Sequence, residues 1–174
     1  VIAFDKYLIL KNDANVPNVT FGFTVSHGTA QNATATSPRI EAGIGSPVIS
    51  SAVFTPSDKP ITTAVQGITL GQNEQYVKKT VSIDFSDVAF TAPGIYRYIV
   101  TESASSVNVI TNDANARRIL DVYVIYDTSA SSTTSLKIAG SVMYKETESS
   151  TLEKSRMFVN TYSTNNVTLK KEVT

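Results

Sequence analysis

The sequence predicts an all-β sandwich, and three observations carry the prediction. Seven segments alternate apolar and polar residues at the two-residue period of a half-buried strand. Turn chemistry separates them, as at Asn12-Asp13, Pro93-Gly94 and a Ser/Thr-rich stretch over 128–135. No segment holds a convincing helical period, so strands must pack on strands.

Residues 2–10 open the chain with Phe4, Lys6, Leu8 and Leu10 on one face. A polar loop, Lys11 to Asn15, follows. VTFGFTV at 19–25 then reads as one strand with Val19, Phe21, Phe23 and Val25 inward. From Ser26 to about Gln75 the pattern weakens into small and turn residues, broken by Pro38, Gly43, Gly45 and Pro47. So long a structureless stretch is unusual inside a compact domain, so parts of it must pair or pack.

The pattern returns at 77–85, where Val77, Lys79, Val81, Ile83 and Phe85 share a face. FTAPGIYRYIVTE at 90–102 turns at Pro93-Gly94. It then sets Tyr96, Tyr98, Val100 and Glu102 against Ile95, Arg97, Ile99 and Thr101, with Arg97 marking its face as the wet one. ILDVYVIY at 119–126 offers Leu120, Val122, Val124 and Tyr126 as a core face. Segments 136–144 and 156–162 complete a domain over 1–162. Beyond it, 163–166 is linker-like, and VTLKKEV repeats the opening pattern with Lys171 where Lys6 stood. Residues 163–174 therefore read as a linker and the first strand of a following, truncated domain. The duller alternative is a tail strand with a snorkelling lysine.

Length and charge narrow the function. A chain of 174 residues suits one domain with a large core, or one domain and a piece of another. Its 15 basic and 15 acidic residues balance, and no basic stripe interleaved with aromatics supports nucleic-acid binding. No apolar run approaches a membrane span. There is no cysteine, hence no disulfide and no thiol chemistry. His27 is the sole histidine, in a glycine-flanked loop with no metal cluster to join, and no cofactor is implied. The wealth of Ser, Thr and Asn leans extracellular.

Three polar residues interrupt otherwise apolar faces: Lys6 on the first strand, Glu102 on a middle one, and Asn160 between Phe158 and Tyr162 on the last. Each is costly there unless paired, neutralised or used. An amine and a carboxamide held together in dry surroundings can form an amide and release ammonia. Burial makes a lysine a neutral nucleophile. A protonated Glu102 would polarise the Asn160 carbonyl and carry a proton to the departing ammonia. Taken singly, each residue reads better as partly buried. Together, on the first, middle and last strands, they read as a reactive set.

These segments resemble a known family. VSIDFSDVAFTAPGIYRYIVTES at 81–103, DVYVIYD at 121–127, RMFVNTY at 156–162 and the DKYLIL opening are similar to the shaft (major, or backbone) pilins of Gram-positive bacteria, of the streptococcal T-antigen type. The resemblance covers most of 1–162. It implies an immunoglobulin-like sandwich of the collagen-adhesin B-domain type with an internal Lys–Asn isopeptide bond. Carried over residue by residue, Lys6 and Asn160 form the bond and Glu102 promotes it. The resemblance further implies a covalent head-to-tail polymer of pilin subunits, assembly by a sortase, and a place in a pilus on the cell wall. Its acceptor lysine lies shortly before the last strand, which points to Lys154, with Lys145 as runner-up. One departure stands out: Asn112-Asp113 replaces the family's Tyr-Asp, a change expected to bear on packing more than on chemistry.

Two further functions compete with a structural subunit. A surface adhesin would bind a host or partner ligand through the 26–75 insertion, but that stretch lacks a clustered aromatic or charged patch. An enzyme acting on an external substrate finds no nucleophile–base motif, metal cluster or phosphate loop to support it. The expected chemistry is a single turnover on the chain itself.

Overall fold

The computed structural model describes residues 1–129, 131, 134–148 and 151–164. Among these the regular elements are all strands: β1 (Ile2–Lys11), β2 (Val19–Phe21), β3 (Phe23–His27), β4 (Glu41–Ala42), β5 (Val48–Ile49), β6 (Ala52–Phe54), β7 (Glu74–Asp84), β8 (Gly94–Glu102), β9 (Ile110–Thr111), β10 (Arg117–Tyr126), β11 (Leu136–Lys145) and β12 (Met157–Tyr162). One sheet runs β5-β7-β1-β12-β9 and the other β11-β10-β8-β3, with β4 parallel to β8. A small β2-β6 ribbon pairs with neither sheet but packs into the same core.

The two large sheets bury their alternating apolar residues against each other, as the sequence expected of a sandwich. Phe4, Phe23 and Phe158 meet there, with ring centroids 5.1–5.3 Å apart. β1 lies at the middle of its sheet, antiparallel to β7 and parallel to β12. The chain's first and last described strands are thus neighbours, and that adjacency positions the site.

The 26–75 stretch does pair and pack. Residues 61–70 cross the outer face of the β1 sheet, where Val65, Ile68 and Leu70 cover Tyr7, Ile9 and Tyr76. Tyr76 ties this cover down by donating its hydroxyl to Thr63 O at 3.0 Å. Both faces of β1 are therefore buried, which a two-residue alternation alone does not show. On the opposite side, Gly28 N and Gly43 N both donate to Arg97 O at 2.8 Å. A Cβ at either glycine would fall within 3 Å of Arg97 or Tyr98 atoms, so only glycine allows this approach.

That cover corrects one expectation. Arg97 is buried, not wet. It stands opposite Asp121 across the β8–β10 ladder and grips it with two hydrogen bonds of 2.7 Å. A forked, charge-assisted pair of this kind satisfies both groups away from water. Two smaller corrections follow from pairing. VTFGFTV is two strands, because Ser103 N donates to Gly22 O while β2 pairs with β6 and β3 with β8. Tyr126, expected inward, is 53% exposed at the end of β10. Lys171 and residues 165–174 of the expected next domain lie outside the described residues.

Candidate functional site: a buried lysine, glutamate and asparagine

Strand register brings two of the three polar residues together. Lys6 stands opposite Phe158 and Asn160 opposite Leu8 in the parallel β1–β12 pair. Lys6 and Asn160 are therefore diagonal neighbours on the inward face, a spacing that a long side chain spans. Glu102 arrives from the opposing sheet at the end of β8, beside Phe23 of β3. Lys6 and Asn160 are fully buried and Glu102 is 4% exposed.

The lysine and glutamate meet directly. Lys6 Nζ lies 2.6 Å from Glu102 Oε2, although the angles leave both atoms without a hydrogen bond of good geometry. The same Nζ sits 4.4 Å above the centre of the Phe21 ring. Burial lowers the Lys6 pKa from 10.5 to about 8, against the opposing pull of Glu102. Roughly one amine in ten is then neutral at pH 7, a few hundred times the fraction in an exposed lysine.

The carboxamide is held from the other side. Asp113 N donates to Asn160 Oδ1 at 3.0 Å, and Asn160 Nδ2 approaches Asn112 Oδ1 at 3.5 Å. The Asp113 carboxylate in turn accepts from Val159 N at 2.8 Å and from Arg118 Nη2 at 3.3 Å. Arg118 also donates to Met157 O at 2.7 Å, with its guanidinium 4.3 Å from the Phe158 ring centre. Burial pushes the Arg118 pKa down, while Asp113 opposes the shift.

This arrangement has a local cause. β9 pairs with β12 only at Thr161 and Tyr162, so the outer edge of β12 from Met157 to Val159 lacks a strand neighbour on that side. The Asp113 carboxylate supplies the missing acceptor and Arg118 the missing donor. NDANARR reads as an ordinary polar loop, and nothing in its pattern marks a buried arginine.

The two acceptor candidates lie near one groove, lined also by Arg118, Arg156 and Glu153. Lys145 Nζ is engaged by Glu153 at 2.9 Å. Lys154 is exposed, beside a backbone bridge to Tyr144. Among the described residues no group of histidine, cysteine or acidic side chains is arranged to hold a metal ion.

Residues 3–163 match the model of the Spy0128-like isopeptide containing domain, FctA. The chain belongs to that family. Solved structures agree on the fold of this Spy0128-like domain. The major pilin from Streptococcus pyogenes superposes with a TM-score of 0.62 at 24% identity, covering 92% of this chain and 50% of that one. The major pilin T3.2 from Streptococcus pyogenes gives 0.63 at 22% identity, over 92% and 52%. The T-13 major pilin of the same species gives 0.53 at 20% identity, over 92% and 53%. The Spy0128-like chain thus spans about half the length of the pilins it matches. No curated protein sequence matches it.

Proposed function

We propose that this Spy0128-like domain is a structural subunit of a sortase-assembled surface pilus, locked by a bond from Lys6 Nζ to Asn160 Cγ. The observation that carries the reading is a fully buried amine 2.6 Å from a buried carboxylate, with a buried carboxamide on the adjacent strand. A structural ion pair needs no third partner. Here one is supplied.

The chemistry balances within the three groups. A proton passes from the Lys6 ammonium to Glu102, leaving a neutral amine and a carboxylic acid. The amine attacks Asn160 Cγ, and the new C–N bond forms as the carbonyl π pair moves onto Oδ1. Glu102 takes the surplus proton from the attacking nitrogen and delivers one to Nδ2. The Oδ1 pair then re-forms the carbonyl as the Cγ–Nδ2 bond breaks, ammonia leaves, and Glu102 ends protonated. The fold supplies proximity, holding the reactants together for the life of the protein.

Intact mass tests the bond. The wild-type chain should weigh less than its sequence by one ammonia, and Lys6→Ala or Glu102→Ala should restore the full mass. A wild-type chain at full sequence mass sinks the reading. For assembly, Lys154 is the preferred acceptor because its amine is exposed while that of Lys145 is paired. Lys154→Ala should abolish covalent polymer ladders on cells that make the full-length protein; normal ladders rule Lys154 out. The adhesin alternative is weakened by the 26–75 stretch, where Ile44, Ile49, Phe54, Val65, Ile68 and Leu70 pack against the sheets and only Val48, Val53 and Ile61 among its large apolar residues stay exposed.

A further inference from the structure

In bond formation Glu102 moves the protons, while the attack drives the carbonyl π pair of Asn160 onto its oxygen. That oxygen must carry negative charge in the tetrahedral intermediate. The structure already aims a donor at it. We propose that the Asp113 main-chain N–H is the oxyanion donor for bond formation, and that the Asp113 carboxylate with Arg118 positions it.

Asp113 N donates to Asn160 Oδ1 at 3.0 Å, and a backbone N–H can only donate, so the amide oxygen must lie on that side. The leaving nitrogen Nδ2 faces Asn112 Oδ1, which is itself fixed by accepting from Ser105 N at 2.9 Å. The two heteroatoms of the carboxamide are thus sorted, oxygen to Asp113 and nitrogen to Asn112. Flipping the amide would set two donors against each other at Asp113 and two acceptors at Asn112.

The donor is preorganised by its own side chain. Asp113 Oδ1 accepts from Asn115 N at 2.8 Å, closing the turn that holds the 113 peptide in place. Asp113 Oδ2 accepts from Val159 N, one residue before Asn160, and from Arg118 Nη2. Arg118 then reaches Met157 O. A single carboxylate therefore ties the N–H to the strand that carries the electrophile. A donor fixed before the reaction needs no reorganisation when charge appears on the oxygen, and a preorganised donor of this kind is worth about a hundredfold or more in rate.

The inference rests on the isopeptide reading, and one experiment separates the two. The chain is made by cell-free synthesis and its ammonia loss followed in time by intact mass. One variant replaces residue 113 by the α-hydroxy acid analogue of aspartate, which keeps the carboxylate and puts an ester oxygen in place of the N–H. It should lose ammonia about a hundredfold more slowly than wild type. Asp113→Ala, which keeps the N–H but frees the loop, should be slowed about tenfold, and Asp113→Asn, which keeps an acceptor for the turn, should stay closest to wild type. Stability of each substitution in the unreactive Lys6→Ala background separates chemistry from folding. Wild-type rates in the ester variant, or in Asp113→Ala, overturn the Asp113 proposal while leaving the bond in place. Absence of ammonia loss in wild type overturns the bond itself.

Discussion

Lys6 and Lys79 are directly opposite each other in the β1–β7 ladder, and each interrupts an apolar run in the sequence. Their surroundings have little else in common. Lys6 is sealed between the sheets against Glu102, with Asn160 one diagonal step away. Lys79 keeps a third of its side chain in water, pairs with Asp58 at 2.6 Å, and lies 6.0 Å from the Phe54 ring centre. Asp58 comes from the 26–75 stretch, so that stretch neutralises the one lysine, while the other is left to the core. A lysine on an apolar face becomes chemically interesting only when its partner and an electrophile are equally dry.

Breaking the comparison on the Lys6 side should have the largest effect. Asn160→Ala removes the crosslink but spares the Lys6–Glu102 pair. The bond would close a loop of nearly the whole domain, worth roughly 5 kcal/mol by the chain-entropy estimate used for disulfides. The melting temperature of Asn160→Ala should therefore drop by on the order of 10–20 °C, read by calorimetry. A drop of only a degree or two would mean that the wild type carries no crosslink.

The unreacted variant also sharpens the contrast through pH. The Lys6 pKa is about 8 in the fold and 10.5 when exposed, so between those values the unfolded chain holds the extra proton. Stability of Asn160→Ala should rise with pH through that window, by up to about 3 kcal/mol, and be flat in this respect below it. Denaturant titrations at intervals from neutral pH upward would show the slope. Adding Lys6→Met with Glu102→Gln should remove it; a slope that survives belongs to other groups.

The smallest effect belongs to Lys79. Its pair with Asp58 is partly exposed and screened, so Lys79→Met should change stability by about 0–1 kcal/mol and leave the intact mass short of one ammonia as before. A loss as large as that of Asn160→Ala would show that exposure is the wrong criterion for telling the two lysines apart.

The same pair shows what the sequence could and could not disclose. Alternation located the long strands because each buries one full face, and it flagged Lys6, Glu102 and Asn160. It did not separate Lys6 from Lys79, since both fall at inward positions of their segments; the family resemblance made that distinction. Arg97 was misread, and Arg118 passed over, for a related reason. Their burial depends on Asp121 across a ladder and on Asp113 beneath a strand edge, contacts that no local pattern encodes. The 26–75 cover was equally hidden, because it rests on two glycines fitting closely over Arg97 and on a short apolar segment meeting Tyr7 and Tyr76.

The parallel pairing of β1 with β12 has a mechanical consequence. The ladder runs from Asp5 opposite Met157 to Leu10 opposite Tyr162, so the chain enters the sheet at one end and leaves it at the other. A pull on the two ends loads these hydrogen bonds in shear, all at once, rather than peeling them one by one. With Lys6 bonded to Asn160, the force path would shorten to the outer part of β1, one amide and the chain beyond Asn160. Everything from Tyr7 to Val159 drops out of the tether. A filament of units bonded in this way would have almost no hidden length to pay out under tension, and would behave as a stiff cable rather than a spring.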